Sequence, residues 1–192
     1  RDLPRLMTVG RLDLDSEGLL LMTNDGDLAR HLELPSTGWS RKYRVRAQGQ
    51  INESQLAALA DGVTIDGIRY GQVIAKLDRQ MASNAWLTVA IREGKNREIR
   101  RIMEYLGHKV SRLIRISYGP FQLGDLEDGA IEQVKARVLA DQLGLGDGTL
   151  EASEKPTLSF NKPAHKSVAK RGKHANHSGK PSRGNPHKTG SR

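Results

Sequence analysis

Short alternating runs of hydrophobic and polar residues occupy much of the first half of the chain and predict β-strands. The strictest alternation is at 43–47, where Tyr43, Val45 and Ala47 share one side and basic residues share the other. This period of two predicts a half-buried strand. Further strands are predicted at residues 6–9, 19–23, 68–77 and 86–91. The Asp-Gly pair at 66–67 predicts a tight hairpin turn.

Helices are predicted where capping residues flank apolar positions. One begins at residues 25–27 and ends before Pro35, and another at 53–60 is capped by Asn52 and followed by Gly62. A third is predicted at 96–106. At about 100° per residue its apolar side chains share one face and its arginines the other, so we expect it to display arginines to solvent. These two faces are Ile99, Ile102, Met103 and Leu106, against Arg97, Arg100, Arg101 and Glu104. The elements together predict an α+β fold with a mixed, mainly antiparallel sheet and flanking helices.

Charge divides the chain into two parts. Residues 151–192 contain 10 Lys and Arg against 2 Asp and Glu, whereas residues 1–150 contain 21 against 20. Beyond Leu150 there are too few large apolar residues to offset the entropy cost of ordering. We therefore expect one domain at 1–150 and a disordered basic tail at 151–192. The formal net charge of +9 indicates a polyanionic partner.

Several classes of protein are disfavoured by what the sequence lacks. It has no cysteine, which excludes a disulfide scaffold and thiolate metal sites. The histidines of the tail have no regular ligand spacing, and no metal site is predicted. The glycine-rich segment at 144–148 lacks the following helix that a phosphate-binding loop needs, and predicts a turn. With neither a signal peptide nor an apolar run near the ~20 residues that span a bilayer, a cytoplasmic location is expected.

The segment 9–26 carries the most informative chemistry. It places a carboxylate, Asp13, two residues after Arg11 in a glycine-flanked loop between two apolar runs. Taken alone, Asp, Ser, Glu and Gly in such a loop more often mean a turn held by local hydrogen bonds. The chain begins at Arg1, close to this loop, so we expect it to be the later part of a longer protein.

Three ordered motifs favour a functional interpretation of that loop. Gly-Arg-Leu-Asp at residues 10–13, Glu-Gly-Lys-Asn-Arg-Glu-Ile-Arg-Arg at 93–101 and Val-Ser-Arg-Leu-Ile-Arg-Ile-Ser-Tyr-Gly-Pro at 110–120 occur in this order. Together they resemble the motifs of the pseudouridine synthases that modify ribosomal RNA, in the branch that acts on a single uridine per target. By this resemblance Asp13 is the catalytic aspartate. Family members usually carry a small basic RNA-binding domain and a conserved strand before this point.

The resemblance also suggests roles for Tyr43 and Arg100. Lys-Tyr-Arg-Val at 42–45 is similar to a further family motif, whose tyrosine stacks on the target uracil; a simple core tyrosine is the alternative. Arg100 occupies the family position whose basic side chain pairs with the catalytic aspartate. Such a pair makes physical sense because a buried carboxylate needs a fixed cation. The window 92–115 holds eight Lys and Arg against three Glu, which favours contacts with RNA phosphates over a merely solvated face. The candidate RNA-binding residues are Arg11, Lys42, Lys95, Arg97, Arg101, Arg112 and Arg115.

The activity implied is isomerisation of uridine to pseudouridine in large-subunit ribosomal RNA. The reaction breaks the glycosidic bond, rotates the base and rejoins it through carbon 5, with Asp13 as the nucleophile. Three routes stay open: attack of Asp13 on the ribose, attack on the pyrimidine ring, or assistance in forming a glycal intermediate. It implies no cofactor, metal or nucleotide, and ribosomal RNA as the partner of a monomeric enzyme. Two alternatives stay open. One is a small-subunit rRNA pseudouridine synthase, and the other is a non-catalytic RNA-binding or ribosome-assembly module.

Overall fold

The computed structural model describes residues 3–144, and our expectations for the basic tail lie outside these residues. The strands are β1 (Met7–Val9), β2 (Glu17–Gly18), β3 (Leu21–Thr23), β4 (Arg41–Gln48), β5 (Val63–Ile65), β6 (Ile68–Tyr70), β7 (Val73–Gln80), β8 (Asn84–Ile91), β9 (Val110–Tyr118) and β10 (Phe121–Gln122). The α-helices are α1 (Gly26–Glu33), α2 (Glu53–Ala58), α3 (Glu98–Tyr105) and α4 (Ala136–Leu143). Short 3-10 segments occupy Pro35–Thr37 and Leu59–Asp61.

One large sheet organises the described part of the chain. Its strands run in the order β10-β9-β4-β8-β7, with every neighbouring pair antiparallel, and β2 joins β9 in parallel. Two small antiparallel ribbons, β1 with β3 and β5 with β6, lie outside this sheet. The α+β fold with a mixed, mainly antiparallel sheet is confirmed.

The central strand β4 follows the predicted alternation. Val45 and Ala47 are fully buried, whereas Lys42 and Arg44 are exposed. Its pairing with β9 shifts register twice, between Lys42 and Tyr43 and between Arg46 and Ala47. Each shift inserts a bulge, which changes the face on which the following residues of β9 lie.

Two apolar clusters hold the elements together. The larger packs the inner face of the sheet against α2 and α3, with Leu87, Ile102 and Met103 at its centre. The smaller joins β1 and α1 to the end of β9 through Val9 and Tyr118. The space between the loop after β1, the inner face of the sheet and the start of α3 is the region in which a site can form.

Capping residues explain most of the predicted boundaries. The Asp25 side chain accepts hydrogen bonds from the first turn of α1, and Asn52 accepts from Ser54 N at 2.9 Å at the start of α2. The predicted turn at 66–67 is present, with positive φ at both Asp66 and Gly67, as a type I′ hairpin requires.

Two boundaries differ from the prediction. The helix expected from residue 96 begins at Glu98, because Arg97 adopts a left-handed conformation with φ 51°. The strand expected at 68–77 is divided into β6 and β7 around Gly71. A Cβ at Gly71 would lie 2.9 Å from the Glu93 carboxylate, so a side chain would not fit there without rearrangement. Within residues 3–144, no helix is both long and apolar enough to cross a membrane.

Candidate active site

A cavity of about 540 Å³ opens where the loop after β1 meets the inner face of the sheet and the start of α3. Its volume lies within the roughly 300–1,000 Å³ typical of small-molecule sites. Both Asp13 and Tyr43 line it. The loop of residues 10–19, here called the Asp13 loop, forms one wall. The opposite walls come from β4, β9 and the segment 91–99.

The Asp13 loop is fixed by backbone hydrogen bonds at several points. Gly10, with φ 68°, donates its N–H to Glu33 Oε1 at 2.6 Å, and Ser16 N donates to the carbonyl of Asp13 at 2.8 Å. At its far end, Gly18 lies against the backbone of Arg115, where an added Cβ would be 2.3 Å from the Arg115 carbonyl. The Asp13 side chain is therefore carried on a constrained turn that faces the cavity.

Tyr43 lies on the inner face of β4, opposite Val89 on one side and Arg115 on the other. Burial raises the pKa of its hydroxyl above the ordinary value, and the nearby charges of Arg115 and Arg41 act in the opposite direction. A half-buried aromatic ring with a neutral hydroxyl at a cavity wall can stack on a base and donate a hydrogen bond. The structure thus brings Tyr43 and Asp13 to the same cavity.

Arg100 occupies a different place from the one predicted. Its Nη2 donates to the carbonyl of Asp15 at 2.6 Å and its Nη1 to the carbonyl of Val110 at 3.1 Å. Among residues 3–144 no ion pair joins Arg100 to Asp13. Arg100 is also not displayed to solvent as the helical wheel suggested, because the Asp13 loop and the start of β9 lie against it. It contacts the loop of the candidate nucleophile through the backbone.

Two buried arginines in the cavity wall were not expected from the sequence. Arg41 is 9% exposed and Arg115 only 2%. Arg41 Nη1 donates to the carbonyls of Arg92 at 3.0 Å and Glu93 at 2.8 Å, and its Nη2 donates to the Tyr118 hydroxyl at 2.8 Å. Both guanidinium groups lie near the Tyr118 ring, at 4.7 and 5.2 Å from its centroid. The alternation along β4 places Arg41 on the same face as Tyr43. This pattern could have indicated from the sequence that Arg41 is buried.

Glu98 is a further buried ionisable group, and the sequence analysis did not identify it as functional. It is 3% exposed, and its Oε2 accepts a hydrogen bond from Lys95 N at 3.0 Å. Burial raises the pKa of its carboxyl above the ordinary value, and the charge of Glu93 adds to this, whereas the Lys95 N–H and the charges of Lys95 and Arg41 lower it. The turn at 95–98 therefore closes one side of the cavity with a buried carboxyl group that ionises less readily than an exposed one.

The candidate RNA-binding residues separate by exposure. Six of them are exposed, and Arg115 is the exception because it is buried under the Asp13 loop. Exposed side chains remain available to phosphates, although three are engaged in ion pairs: Lys95 with Glu93 at 2.5 Å, Arg97 with Asp15 at 3.5 Å and Arg112 with Glu17 at 2.7 Å. The exposed set is Arg11, Lys42, Lys95, Arg97, Arg101 and Arg112.

The described part of the chain contains no cluster of candidate metal ligands. Among residues 3–144 no group of three or more His, Cys, Asp or Glu side chains is placed to hold a metal ion. The cavity is lined by the Asp13 carboxyl, the Tyr43 hydroxyl and the guanidinium groups of Arg41 and Arg115.

Several known proteins are similar to this chain in sequence. Residues 1–105 match the family model described as RNA pseudouridylate synthase. An uncharacterized RNA pseudouridine synthase of Rickettsia felis is 51% identical over 137 residues, which cover 71% of this chain and 59% of that protein. Ribosomal large subunit pseudouridine synthase B of Haemophilus influenzae is 46% identical, over 63% of this chain and 35% of its own length.

A solved structure agrees with these sequence matches. A crystal structure of pseudouridylate synthase superposes with a TM-score of 0.63 at 28% identity, covering 71% of this chain and 59% of that one. The chain thus spans less than two thirds of the length of these relatives. Because the family model matches more than half of the sequence and the Rickettsia relative is about half identical, the chain belongs to the RNA pseudouridylate synthase family.

Proposed function

We propose that this chain isomerises uridine to pseudouridine in ribosomal RNA, with Asp13 as the nucleophile. The observation that carries the proposal is the convergence of Asp13 and Tyr43, which are 30 positions apart in the sequence, on one cavity of about 540 Å³. A cavity of this size accommodates a nucleoside extruded from its stack, as chemistry on an RNA base requires.

Each group has a role suited to its position. Asp13 forms an adduct with the nucleoside and later releases it, which divides a difficult isomerisation into easier steps. Tyr43 stacks on the uracil ring and holds it while the glycosidic bond is broken and the base turns. Arg100 supports the reaction indirectly, because it holds the carbonyl of Asp15, two residues beyond the nucleophile.

Large-subunit ribosomal RNA is the proposed substrate. The support comes from similarity to the synthase of Haemophilus influenzae, whose name specifies the large ribosomal subunit. RNA affinity would come largely from phosphate contacts, which position a protein without reading bases. Exposed arginines and lysines around the cavity are suited to such contacts, and the ten lysines and arginines of residues 151–192 would add to them.

Tritium release tests the proposal directly. The protein is incubated with ribosomal RNA that lacks pseudouridine and carries tritium at carbon 5 of uridine, and release of the label reports formation of the new carbon–carbon bond. We expect release from large-subunit RNA and none from small-subunit RNA. Release from small-subunit RNA alone would identify the other subunit as the substrate. Tight RNA binding without release from either would identify a non-catalytic RNA-binding module.

A further inference from the structure

Arg115 connects both ends of the Asp13 loop to the central sheet. Its Nε donates to the carbonyl of Leu19 at 2.7 Å, and its Nη1 donates to the carbonyl of Arg11 at 3.2 Å. Arg11 precedes Asp13 by two residues and Leu19 follows it by six. One planar guanidinium group therefore spans the turn that presents the candidate nucleophile.

The backbone of Arg115 contributes a further attachment. Its carbonyl accepts a hydrogen bond from Leu19 N at 2.8 Å, and Gly18 pairs with it in the parallel ladder of β2 and β9. These backbone bonds hold only the far end of the loop. The near end, immediately before Asp13, is held to α1 by the hydrogen bond from Gly10 N to Glu33 and to β9 by the Arg115 side chain. This side chain therefore attaches the loop to β9 on both sides of the nucleophile.

The environment of Arg115 differs from that of an arginine in a structural ion pair. It is 2% exposed, yet among residues 3–144 no carboxylate lies within ion-pair distance of it. Its Nη2 is inaccessible to solvent and has no hydrogen-bond acceptor in the described part of the chain. Buried donors are nearly always satisfied in folded proteins, and an exception commonly marks a functional site. Arg115 also lines the cavity and lies opposite Tyr43 in the strand register.

We propose that Arg115 is a positioning residue, which fixes the Asp13 loop on both sides of the nucleophile and aligns it with Tyr43 across the cavity. This inference rests on the proposed function for its catalytic consequence. Its structural consequence, a loop attached to β9 on both sides of the nucleophile by one side chain, is independent of the reaction. A displacement of about 1 Å at the reacting groups can lower turnover roughly 100-fold, so loss of this attachment affects the chemical step more than RNA binding.

The test compares Arg115→Met with Arg137→Met. Both substitutions replace one arginine with methionine, but Arg137 is exposed on α4 and does not line the cavity. Hydrogen exchange at the Ser16 amide reports the rigidity of the loop, because that N–H is bonded to the Asp13 carbonyl within it. Tritium release from labelled ribosomal RNA reports kcat and KM.

We expect Arg115→Met to lower kcat by about 100-fold with KM within about threefold, and to accelerate exchange at Ser16 while other sheet amides stay protected. Arg137→Met should leave both readouts near those of the wild type. Unchanged exchange at Ser16 in folded Arg115→Met, or equal kcat losses in the two variants, would overturn the proposal. If the wild-type protein releases no tritium, the proposed function fails, and Ser16 exchange still decides whether Arg115 fixes the loop.

Arg115→Lys covers the case in which Arg115→Met does not fold. Lysine keeps the charge, but its compact ammonium lacks the guanidinium fork that reaches two separated carbonyls. We expect kcat and Ser16 protection to fall between those of the wild type and of a variant without the attachment. Wild-type values of both would overturn the proposal, because they would show that the charge alone is sufficient.

Discussion

Both faces of β4 carry basic residues, which are buried on the inner face and more exposed on the outer face. On the inner face Arg41 is buried and donates to backbone carbonyls around the cavity. On the outer face Lys42 and Arg44 are exposed, and the Arg44 guanidinium lies over the Trp86 ring at 4.8 Å from its centroid. Arg41 thus has its donors committed to shaping the cavity, whereas Lys42 and Arg44 remain accessible to solvent or RNA.

This difference shows that the identity of a basic residue does not define its role. A buried guanidinium can replace a set of backbone partners and so fix loops that have no regular structure. An exposed one contributes mainly long-range attraction to phosphates, which falls with salt. The inner face should therefore control the chemical step, and the outer face should control affinity.

The largest effect is expected at Asp13. Asp13→Asn is nearly isosteric but removes the nucleophile, so turnover should fall by at least about 1,000-fold. RNA affinity should stay within a few-fold, because most of it comes from phosphate contacts elsewhere. Tritium release and filter binding measure the two quantities. Asp15→Asn is the matched control, since among residues 3–144 this exposed carboxylate pairs only with Arg97, at 3.5 Å. Similar turnover in both variants would mean that Asp13 is only a turn residue.

Local sequence signals correctly predicted the elements whose conformation depends on neighbouring residues in the sequence. Asn52 and the Asp-Gly pair at 66–67 specify their own backbone conformations, and period two predicted that Tyr43 lies on the buried face of its strand. The start of α3 was mispredicted by two residues because Arg97 adopts a left-handed conformation that its residue type does not require.

The burial of Arg115 could not be predicted from alternation alone. Two bulges in the pairing of β9 with β4 change the face on which successive β9 residues lie. Val110, Leu113, Arg115 and Tyr118 consequently all pair with inner-face residues of β4, although a strict period of two would divide them. A bulge depends on contacts between distant strands, and such contacts leave no local signal. For the same reason the predicted pairing of Arg100 with Asp13 could not be distinguished from its observed contact with the Asp15 carbonyl.

The next effect in size concerns Arg100, which also supports the Asp13 loop from the inner side. Arg100→Met removes the donors to the carbonyls of Asp15 and Val110, and should destabilise the fold by about 1–3 kcal/mol. This is less than expected for breaking a buried ion pair, because no pair with Asp13 is formed. Urea unfolding measures the change. Arg101→Met is the control on the same helix, where the side chain is exposed and a change within about 0.5 kcal/mol is expected. Equal losses would contradict the assigned contacts.

A smaller effect is expected from the outer face. Replacing Lys42, Arg44 and Arg46 with Gln removes three charges, and the salt dependence of log K should flatten by roughly two to three units if all three contact phosphate. Turnover at saturating RNA should change little. RNA binding over a salt series provides the measurement. Removing three exposed charges elsewhere, at Arg30, Lys135 and Arg137, is the matched control. An identical slope for the two triple variants would show that this face does not bind RNA.

The smallest effect concerns the buried carboxyl of Glu98 at the start of α3, whose raised pKa makes the free energy of unfolding depend on pH. Because its pKa is raised in the folded state, chiefly by burial, its contribution to stability is fully present below the ordinary value of 4.5 and is lost as pH rises through the folded value. Glu98→Gln cannot ionise, and its side-chain oxygen can still accept the Lys95 N–H. The stability of the variant relative to the wild type should therefore increase with pH across that window, by about 1.4 kcal/mol for each unit by which the pKa is raised.

Urea unfolding of both proteins at a series of pH values measures this difference, and Glu104→Gln controls for loss of a carboxyl on the exposed face of α3. A difference that stays constant with pH would show that Glu98 is ionised as readily in the folded as in the unfolded chain.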